Sequence, residues 1–145
     1  MKSISNKPFG NLFQLRWAEK LGRPECPYLI RWTLIFFGYS LRIHHWLRSD
    51  ASTTYMHDHA CNFISIILWG SYTNVTEQGR VNVKVGSFWY ANAFKRHYLE
   101  IPRGGAWTLL FCSRPYHKWG FYVNSHKWRP LRFFDKFQHA PCDIQ

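Results

Sequence analysis

Acidic residues are scarce in this sequence. Its 145 residues include 8 Asp and Glu against 19 Lys and Arg, which gives a formal net charge of +11 at pH 7. This excess argues against a cationic partner and favours an anionic one, because the summed field of the chain attracts negative charge. Small anionic or polar molecules and nucleic acid are the partners it favours. A basic surface that serves mainly solubility explains the same count, so both interpretations stay open.

Cysteines are few and lack the spacing of a metal or redox motif. None of the four, Cys26, Cys61, Cys112 and Cys142, belongs to a C-x-x-C pair, which excludes the common zinc-ribbon and thioredoxin-type motifs. With no secretory signal recognised, we expect reduced thiols, no disulfide framework and a cytoplasmic protein, in the host cytoplasm if a phage encodes it.

Long apolar runs are also missing. The longest apolar stretches, for example residues 63–69, are far shorter than the ~20 residues that cross a bilayer. No membrane partner is therefore expected. No internal repeat or low-complexity segment is seen, which argues against a repeat architecture. A chain of this length closes one core. We expect one domain over 1–145, with a lead-in over 1–27, a barrel over 28–124 and a packing tail over 125–145.

Aromatic residues, in contrast, are abundant, with 8 Trp, 8 Tyr and 12 Phe, a composition typical of strands. Aromatic and β-branched runs broken by turn residues predict eight strands. They are expected at 28–37, 40–48, 60–74, 80–85, 88–90, 96–101, 106–112 and 119–123. Because these strands follow one another without intervening helices, the sequence predicts an all-β antiparallel sandwich or rolled barrel.

The two ends of the chain differ from this pattern. Apolar residues over 11–21 fall near helical spacing, with Asn11 as a cap and 22–24 as a stop, which predicts a short N-terminal helix. The tail is aromatic at first and then polar. We expect its aromatic side chains to pack over the barrel and 138–145 to be loose. These aromatics are Trp128, Phe133, Phe134 and Phe137.

The tripeptide His57-Asp58-His59 is the most informative motif. In an extended segment, residues two apart point to the same side, so both imidazoles reach one ion. His97 follows a turn-like stretch at 91–93 and enters a strand that we expect beside the first. Three neutral imidazoles with positions left for water or substrate make an open, catalytic-type metal site. With eight histidines in the chain, the alternative is that these are ordinary polar residues with hydrogen-bond partners.

These positions resemble the two motifs of the cupin superfamily, G-x5-H-x-H-x3 or x4-E-x6-G and G-x5-P-x-G-x2-H-x3-N. His57, His59 and Gly70 match the first motif, and Gly86 and His97 match the second. The resemblance implies a double-stranded β-helix, the cupin or jelly-roll barrel, and a metal ion held by the three histidines.

The match departs from the motifs at several places. Phe63 stands where the first motif has its glutamate, so the resemblance implies a three-histidine variant like that of the thiol dioxygenases. The chain is also similar over 28–130 to small bacterial and phage cupin-like proteins of unassigned function. That similarity implies the fold more firmly than any activity.

Alternation along the strands predicts the lining of a substrate pocket. On the side of the two motif histidines lie Cys61, Phe63 and Ser65, followed by Ile67 and Trp69. A small buried thiol is the plainer interpretation of Cys61.

On the strand over 40–48, Arg42, His44, Trp46 and Arg48 share one side. If that side faces inward, Trp46 joins the pocket and His44 is a catalytic proton donor. Arg48 is then a clamp for a substrate carboxylate or phosphate. The alternative is a solvated basic face.

The first functional hypothesis is a mononuclear metalloenzyme, a dioxygenase-like Fe(II) oxidoreductase acting on a polar or anionic small substrate. Iron is the expected ion, with zinc, manganese and nickel as alternatives. A second hypothesis is a non-catalytic binding module for an anionic ligand, a nucleotide or nucleic acid. A third is a metal-dependent isomerase or lyase that uses the same ligands. A homodimer is a further expectation, implied by the resemblance.

Overall fold

The computed structural model describes residues 12–49 and 54–137, the last four of these by their backbone alone. This part of the chain forms ten strands and one helix. The strands are β1 Phe13–Arg23, β2 Cys26–Phe36, β3 Tyr39–Trp46, β4 Phe63–Thr76, β5 Gly79–Lys84, β6 Phe88–Ala91, β7 His97–Glu100, β8 Ala106–Cys112, β9 Phe121–Val123 and β10 His126–Trp128, and helix α1 is Pro130–Phe137. Each of the eight predicted strands is present, as β2 to β9.

The strands form two antiparallel layers that share one long strand. The larger layer has the order β1-β2-β3-β8-β4-β6, and the second half of β4 pairs with β5 and β7 in the smaller layer. Isolated bridges from His57 to His97 and to Phe121 connect the β9–β10 hairpin to the smaller layer. Over the described residues the sheets do not close, so the architecture is a β-sandwich rather than a closed barrel.

Strand β4 changes layers at a bulge between Ile67 and Trp69. Gly70 follows with a φ of 76°, and a Cβ there would lie 2.6 Å from the carbonyl oxygen of Gly105, so this crossing requires glycine. The bulge resets the alternation of the strand. Trp69 is therefore 55% exposed, and its predicted place on the inner side was wrong.

The predicted N-terminal helix was also wrong, because this segment is strand β1, paired with β2. A register shift lies between Arg16 and Glu19, and Ala18 has a positive φ of 49°. The apolar residues that suggested a helix do not form one buried face, because Leu12, Phe13, Leu15 and Trp17 are each more than 60% exposed. Their near-helical spacing was therefore not a sign of amphipathic burial.

The hydrophobic core lies between the two layers. Leu29, Trp46 and Ile67 from the larger layer pack against Tyr72 and Leu99 from the smaller one. Such a core needs an inner face on each layer, which the alternation of the strands supplies.

The packing of the tail agrees with the sequence prediction in part. Phe133 in α1 is buried and stacks on Phe121 with ring centroids 4.0 Å apart, and Trp128 packs beside them. The side chains of Phe134 and Phe137 and the residues 138–145 lie outside the described part of the chain. No helix within the described residues is long and apolar enough to cross a membrane.

One cysteine departs from the expectation of reduced thiols. Cys26, at the start of β2, is disulfide-bonded, whereas Cys61 and Cys112 are free and buried. Pairing depends on the distance between Cα atoms in the folded chain. The spacing of cysteines along the sequence does not report that distance.

Candidate metal centre

Backbone hydrogen bonds bring the three motif histidines together. The amide of His57 donates to the carbonyl of His97 at 2.9 Å, and the amide of His97 donates back to the carbonyl of His57 at 3.0 Å. The amide of His59 donates to the carbonyl of Ala93 at 2.9 Å. The H-x-H segment therefore lies antiparallel to the start of β7, with both of its imidazoles on the side of His97.

The side chains converge as the sequence predicted. One ligand nitrogen from each of His57, His59 and His97 lies within 4.8 Å of the other two. The closest pair, Nε2 of His59 and Nε2 of His97, is 2.8 Å apart. Because imidazole nitrogens bind a metal at ~2.0–2.1 Å, these three rings fit around a single ion with small adjustments.

Asn74 on β4 fixes the orientation of one ring. Nδ1 of His97 donates to Oδ1 of Asn74 at 2.7 Å, and Asn74 is buried. This bond sets the tautomer of His97 and leaves the lone pair of its Nε2 free to bind an ion. Asn74 was not among the predicted site residues, because the bulge in β4 reverses the alternation that would have placed it there.

Aromatic side chains surround the three imidazoles. Phe63 contacts His59, Trp89 contacts His97 and Phe121 contacts His57, with ring centroids 4.7, 5.3 and 5.5 Å apart. These three rings give the site apolar walls.

Burial keeps the rings of His59 and His97 neutral. Burial first, and then the charges of neighbouring groups, holds the pKa of His59 and that of His97 well below the ordinary value of histidine. Neutral imidazole is the form that binds metals.

Asp58 faces away from this cluster, as expected for the middle residue of an extended tripeptide. Its Oδ1 accepts from the amide of Gly120 at 2.7 Å. Its Oδ2 accepts from His117 Nε2 at 2.7 Å, Tyr122 Oη at 2.8 Å and Lys127 Nζ at 2.6 Å. The fully buried carboxylate thus ties the β9–β10 hairpin to the H-x-H segment.

The predicted pocket residues all lie on the inner face of the larger layer. Cys61, Phe63, Ser65 and Trp46 are each less than a tenth exposed. Cys61 also hydrogen-bonds to Cys112. Its burial beside a second thiol agrees with the plainer interpretation of a small core residue.

His44 is buried on this inner face, at 7% exposure. Burial, together with the charges of Arg31 and Arg42, holds its pKa well below the ordinary value of histidine. The inward side of β3 is therefore the side of Arg42, His44 and Trp46. Arg48 follows the end of β3, where its amide donates to the carbonyl of Tyr28 at 3.4 Å, and its role as a clamp stays a prediction.

Three further residues near His44, namely Arg31, Thr33 and Thr108, were not among the predicted site residues. Arg31 and Thr33 are two apart on β2 and lie opposite His44 and Arg42 on β3. Their alternation was a usable signal, but the pairing of β2 with β3 was needed to place them beside the predicted His44.

Comparisons with known proteins give a fold but no sequence family. No family model matches the chain, and no curated protein matches its sequence. Among solved structures, the Fe(II) form of HppE is similar over 70% of this chain and 56% of its own, with a TM-score of 0.55 and 13% identity.

Two further solved structures are similar to this chain to about the same degree as HppE. A structure of the DMSP lyases RdDddP and RnDddQII matches 68% of this chain and 56% of its own, with a TM-score of 0.54 and 11% identity. An oxalate decarboxylase variant from Bacillus subtilis matches 75% of this chain and 31% of its own, with a TM-score of 0.51 and 16% identity. This chain thus spans about half or less of the length of these proteins. At such low identity the likeness shows the fold alone, which is a cupin-type β-sandwich.

Proposed function

We propose that this protein is a small mononuclear metalloenzyme, an Fe(II)-type oxygenase that acts on a polar or anionic small substrate. The observation that carries the proposal is the convergence of ring nitrogens from His57, His59 and His97 within 4.8 Å. Three neutral imidazoles suit iron, zinc, manganese or nickel. The presence of an Fe(II) protein among the structural neighbours makes iron the first ion to test.

The chain's own residues prepare this site in three ways. The three histidines would hold the ion, and Asn74 holds His97 in the tautomer that binds it. The walls formed by Phe63, Trp89 and Phe121 exclude bulk water and so strengthen electrostatic interactions with a bound substrate. When bound, Fe(II) supplies Lewis acidity and a redox couple.

His44 is the candidate for moving a proton. Its ring is held neutral by burial and by Arg31 and Arg42, so it accepts a proton or donates from its single N–H, and does not act as a cationic acid. We propose that it orients the substrate beside His59, whose pKa it helps to lower.

Metal uptake by the purified protein tests the proposal. We expect iron in element analysis of freshly purified protein, and one Fe(II) per chain in an anaerobic titration of metal-free protein. His97→Ala is expected to abolish this binding, and Asn74→Ala is expected to weaken it by about 10–100-fold. His126→Ala removes an exposed imidazole of the β9–β10 hairpin and serves as the matched control, with binding unchanged.

Two results would contradict the metal site. One is wild-type protein that takes up no ion, and the other is equal loss of binding in His126→Ala and His97→Ala. Oxygen uptake then separates the reaction classes. An oxygenase loaded with Fe(II) consumes dioxygen faster than the His97→Ala variant mixed with the same iron, whereas an isomerase or lyase shows no such difference.

A further inference from the structure

Five side chains form one polar patch on the inner face of the larger layer. We call Arg31, Thr33, Arg42, His44 and Thr108 the inner polar patch. Arg31 lies opposite His44 and Thr33 lies opposite Arg42 across the β2–β3 pair, and Thr108 lies opposite His44 across the β3–β8 pair. Directly opposed residues have Cβ atoms about 5 Å apart. These side chains are therefore close enough to bind one small ligand together.

The patch contains buried polar atoms without partners in the described part of the chain. Oγ1 of Thr33, Oγ1 of Thr108 and both ring nitrogens of His44 have no hydrogen-bond partner among the described residues. The three residues are 4%, 1% and 7% exposed. Buried polar groups almost always have partners. Three neighbouring exceptions therefore mark a place where a ligand supplies the missing hydrogen bonds.

The charge around the patch is positive. Glu19 accepts a hydrogen bond from Nε of Arg31 at 3.1 Å and lies 3.9 Å from Arg16. Arg42 donates from its Nε to the neutral hydroxyl of Ser40 at 3.0 Å. This region thus holds three guanidinium groups, those of Arg16, Arg31 and Arg42, and the single carboxylate of Glu19. Burial, and then the charge of Arg42, lowers the pKa of Arg31.

We infer that the inner polar patch binds an oxyanion, namely the carboxylate or phosphate-type group of the substrate. Arg42 provides the charge and the planar N–H fork that such groups accept from, and the hydroxyls of Thr33 and Thr108 donate the remaining hydrogen bonds. The inference rests on the proposed function, because it assigns a substrate class to the three-histidine site. It also replaces Arg48 with Arg42 as the clamp.

The patch lies on the side of the candidate metal centre. Arg42 on β3 and Ser65 on β4 both pair with Leu110, one from each side of β8. Phe63, two residues before Ser65 on the same face of β4, contacts the ring of His59. A substrate anchored on Arg42 would thus present its other end to the three histidines. Binding the oxyanion end of the substrate in this way fixes the position of its other end relative to the three histidines.

Binding of two simple anions tests the inference. Metal-free protein is titrated with inorganic phosphate and with acetate at constant ionic strength, and binding is measured by the rise in Tm. We expect the wild type to bind at least one of them, and the tighter of the two identifies the kind of oxyanion. Arg42→Gln is expected to weaken that binding by about 10–100-fold, because a charge-assisted hydrogen bond is lost. Arg80→Gln removes the same charge from an exposed pair with Glu100 and should change nothing.

Thr108→Val keeps the shape of the side chain and removes only the hydroxyl. It is expected to weaken binding of the anion several-fold while raising the Tm of the anion-free protein, because an unsatisfied buried hydroxyl disappears. A misfolded variant would have a lower Tm, so weaker anion binding together with a higher Tm excludes misfolding as the cause of the weaker binding. Binding equal to wild type in both Arg42→Gln and Thr108→Val, or no binding of either anion by the wild type, would overturn the inference.

Cobalt(II) binding, followed by its visible absorption, separates this inference from the proposed function. Arg42→Gln and Thr108→Val should bind Co(II) at least as tightly as the wild type, because neither residue is among the three candidate ligands. A wild type that binds Co(II) but neither anion overturns the oxyanion site alone. A wild type that binds an anion through Arg42 but no Co(II) overturns the metalloenzyme and leaves the oxyanion site standing.

Discussion

Two buried polar regions of this protein differ in how well their hydrogen bonds are satisfied. In the first, around Asp58, both carboxylate oxygens accept from named donors. In the second, around His44, the hydroxyls of Thr33 and Thr108 and both imidazole nitrogens lack partners among the described residues. A satisfied network stabilises a unique structure, whereas unsatisfied groups destabilise it. The comparison separates a region built for stability from a region built for a ligand.

The largest expected effect is on the satisfied region. Asp58→Ala removes the acceptor of Lys127, Tyr122, His117 and the amide of Gly120, and should lower the free energy of unfolding by about 3 kcal/mol. Urea denaturation measures this value. Tyr122→Phe, which removes one donor and keeps the carboxylate paired, should cost about 1 kcal/mol. Equal losses in the two variants would show that the carboxylate does not organise the network.

The next effect is the pH dependence contributed by His44, which lies opposite Arg31 on β2 and Thr108 on β8 and contacts the ring of Trp46. The charge nearest to it after Arg31 is that of Arg42, two residues away on β3. The folded pKa of His44 is lowered, so the unfolded chain takes up the proton first. Stability is therefore complete above the ordinary value of about 6.5 and falls as the pH drops below it, by up to about 1.4 kcal/mol per pH unit.

Urea denaturation of metal-free protein between pH 7 and pH 5 measures this dependence. His44→Gln removes the titrating group and should give a shallower pH profile than the wild type. Parallel profiles for the two proteins would contradict the burial of a neutral His44.

A smaller effect of opposite sign is expected for Thr33→Val. This change removes a buried hydroxyl with no partner among the described residues and should raise the free energy of unfolding by about 1 kcal/mol in anion-free protein. Differential scanning calorimetry detects the change. A fall in stability would show that Thr33 is already satisfied, and the contrast with Asp58 would not hold.

The smallest effect belongs to the reverse substitution on the outer surface. Val81 on β5 is 60% exposed, so the hydroxyl introduced by Val81→Thr is hydrated by water, and we expect a change within about 0.5 kcal/mol. It is the matched control for Thr33→Val in the same denaturation experiment. A loss that grows with protein concentration would instead indicate that another copy of the chain covers this strand.

The local sequence pattern predicted strands β2 to β9 correctly. It failed where a strand is irregular, both in assigning β1 and in assigning side chains of β4 to a face. Alternation placed Phe63, Ser65 and Ile67 on the inner side of β4, where the structure has them. It failed for Trp69 and Asn74, because one extra residue at a bulge moves every following side chain to the other face. The local pattern also failed for β1, whose apolar residues fall near helical spacing but are mostly exposed along a strand.

The sequence by itself determined the elements of the candidate metal centre. Two histidines spaced two apart in an extended segment must share a side, and one sequence suffices to find this local constraint. His97 lies 38 residues after His59, so the expectation that it joins them depended on the resemblance to the cupin motifs.

Only the tertiary structure decided what surrounds the three histidines. Arg31, Thr33 and Thr108 join His44 because strands distant in sequence pair in one register, and Cys26 forms a disulfide that its spacing did not predict. Whether the basic side of β3 meets solvent or the interior is likewise set by the packing of whole layers. The free energy of that packing is a sum over many distant contacts, and no local pattern contains it.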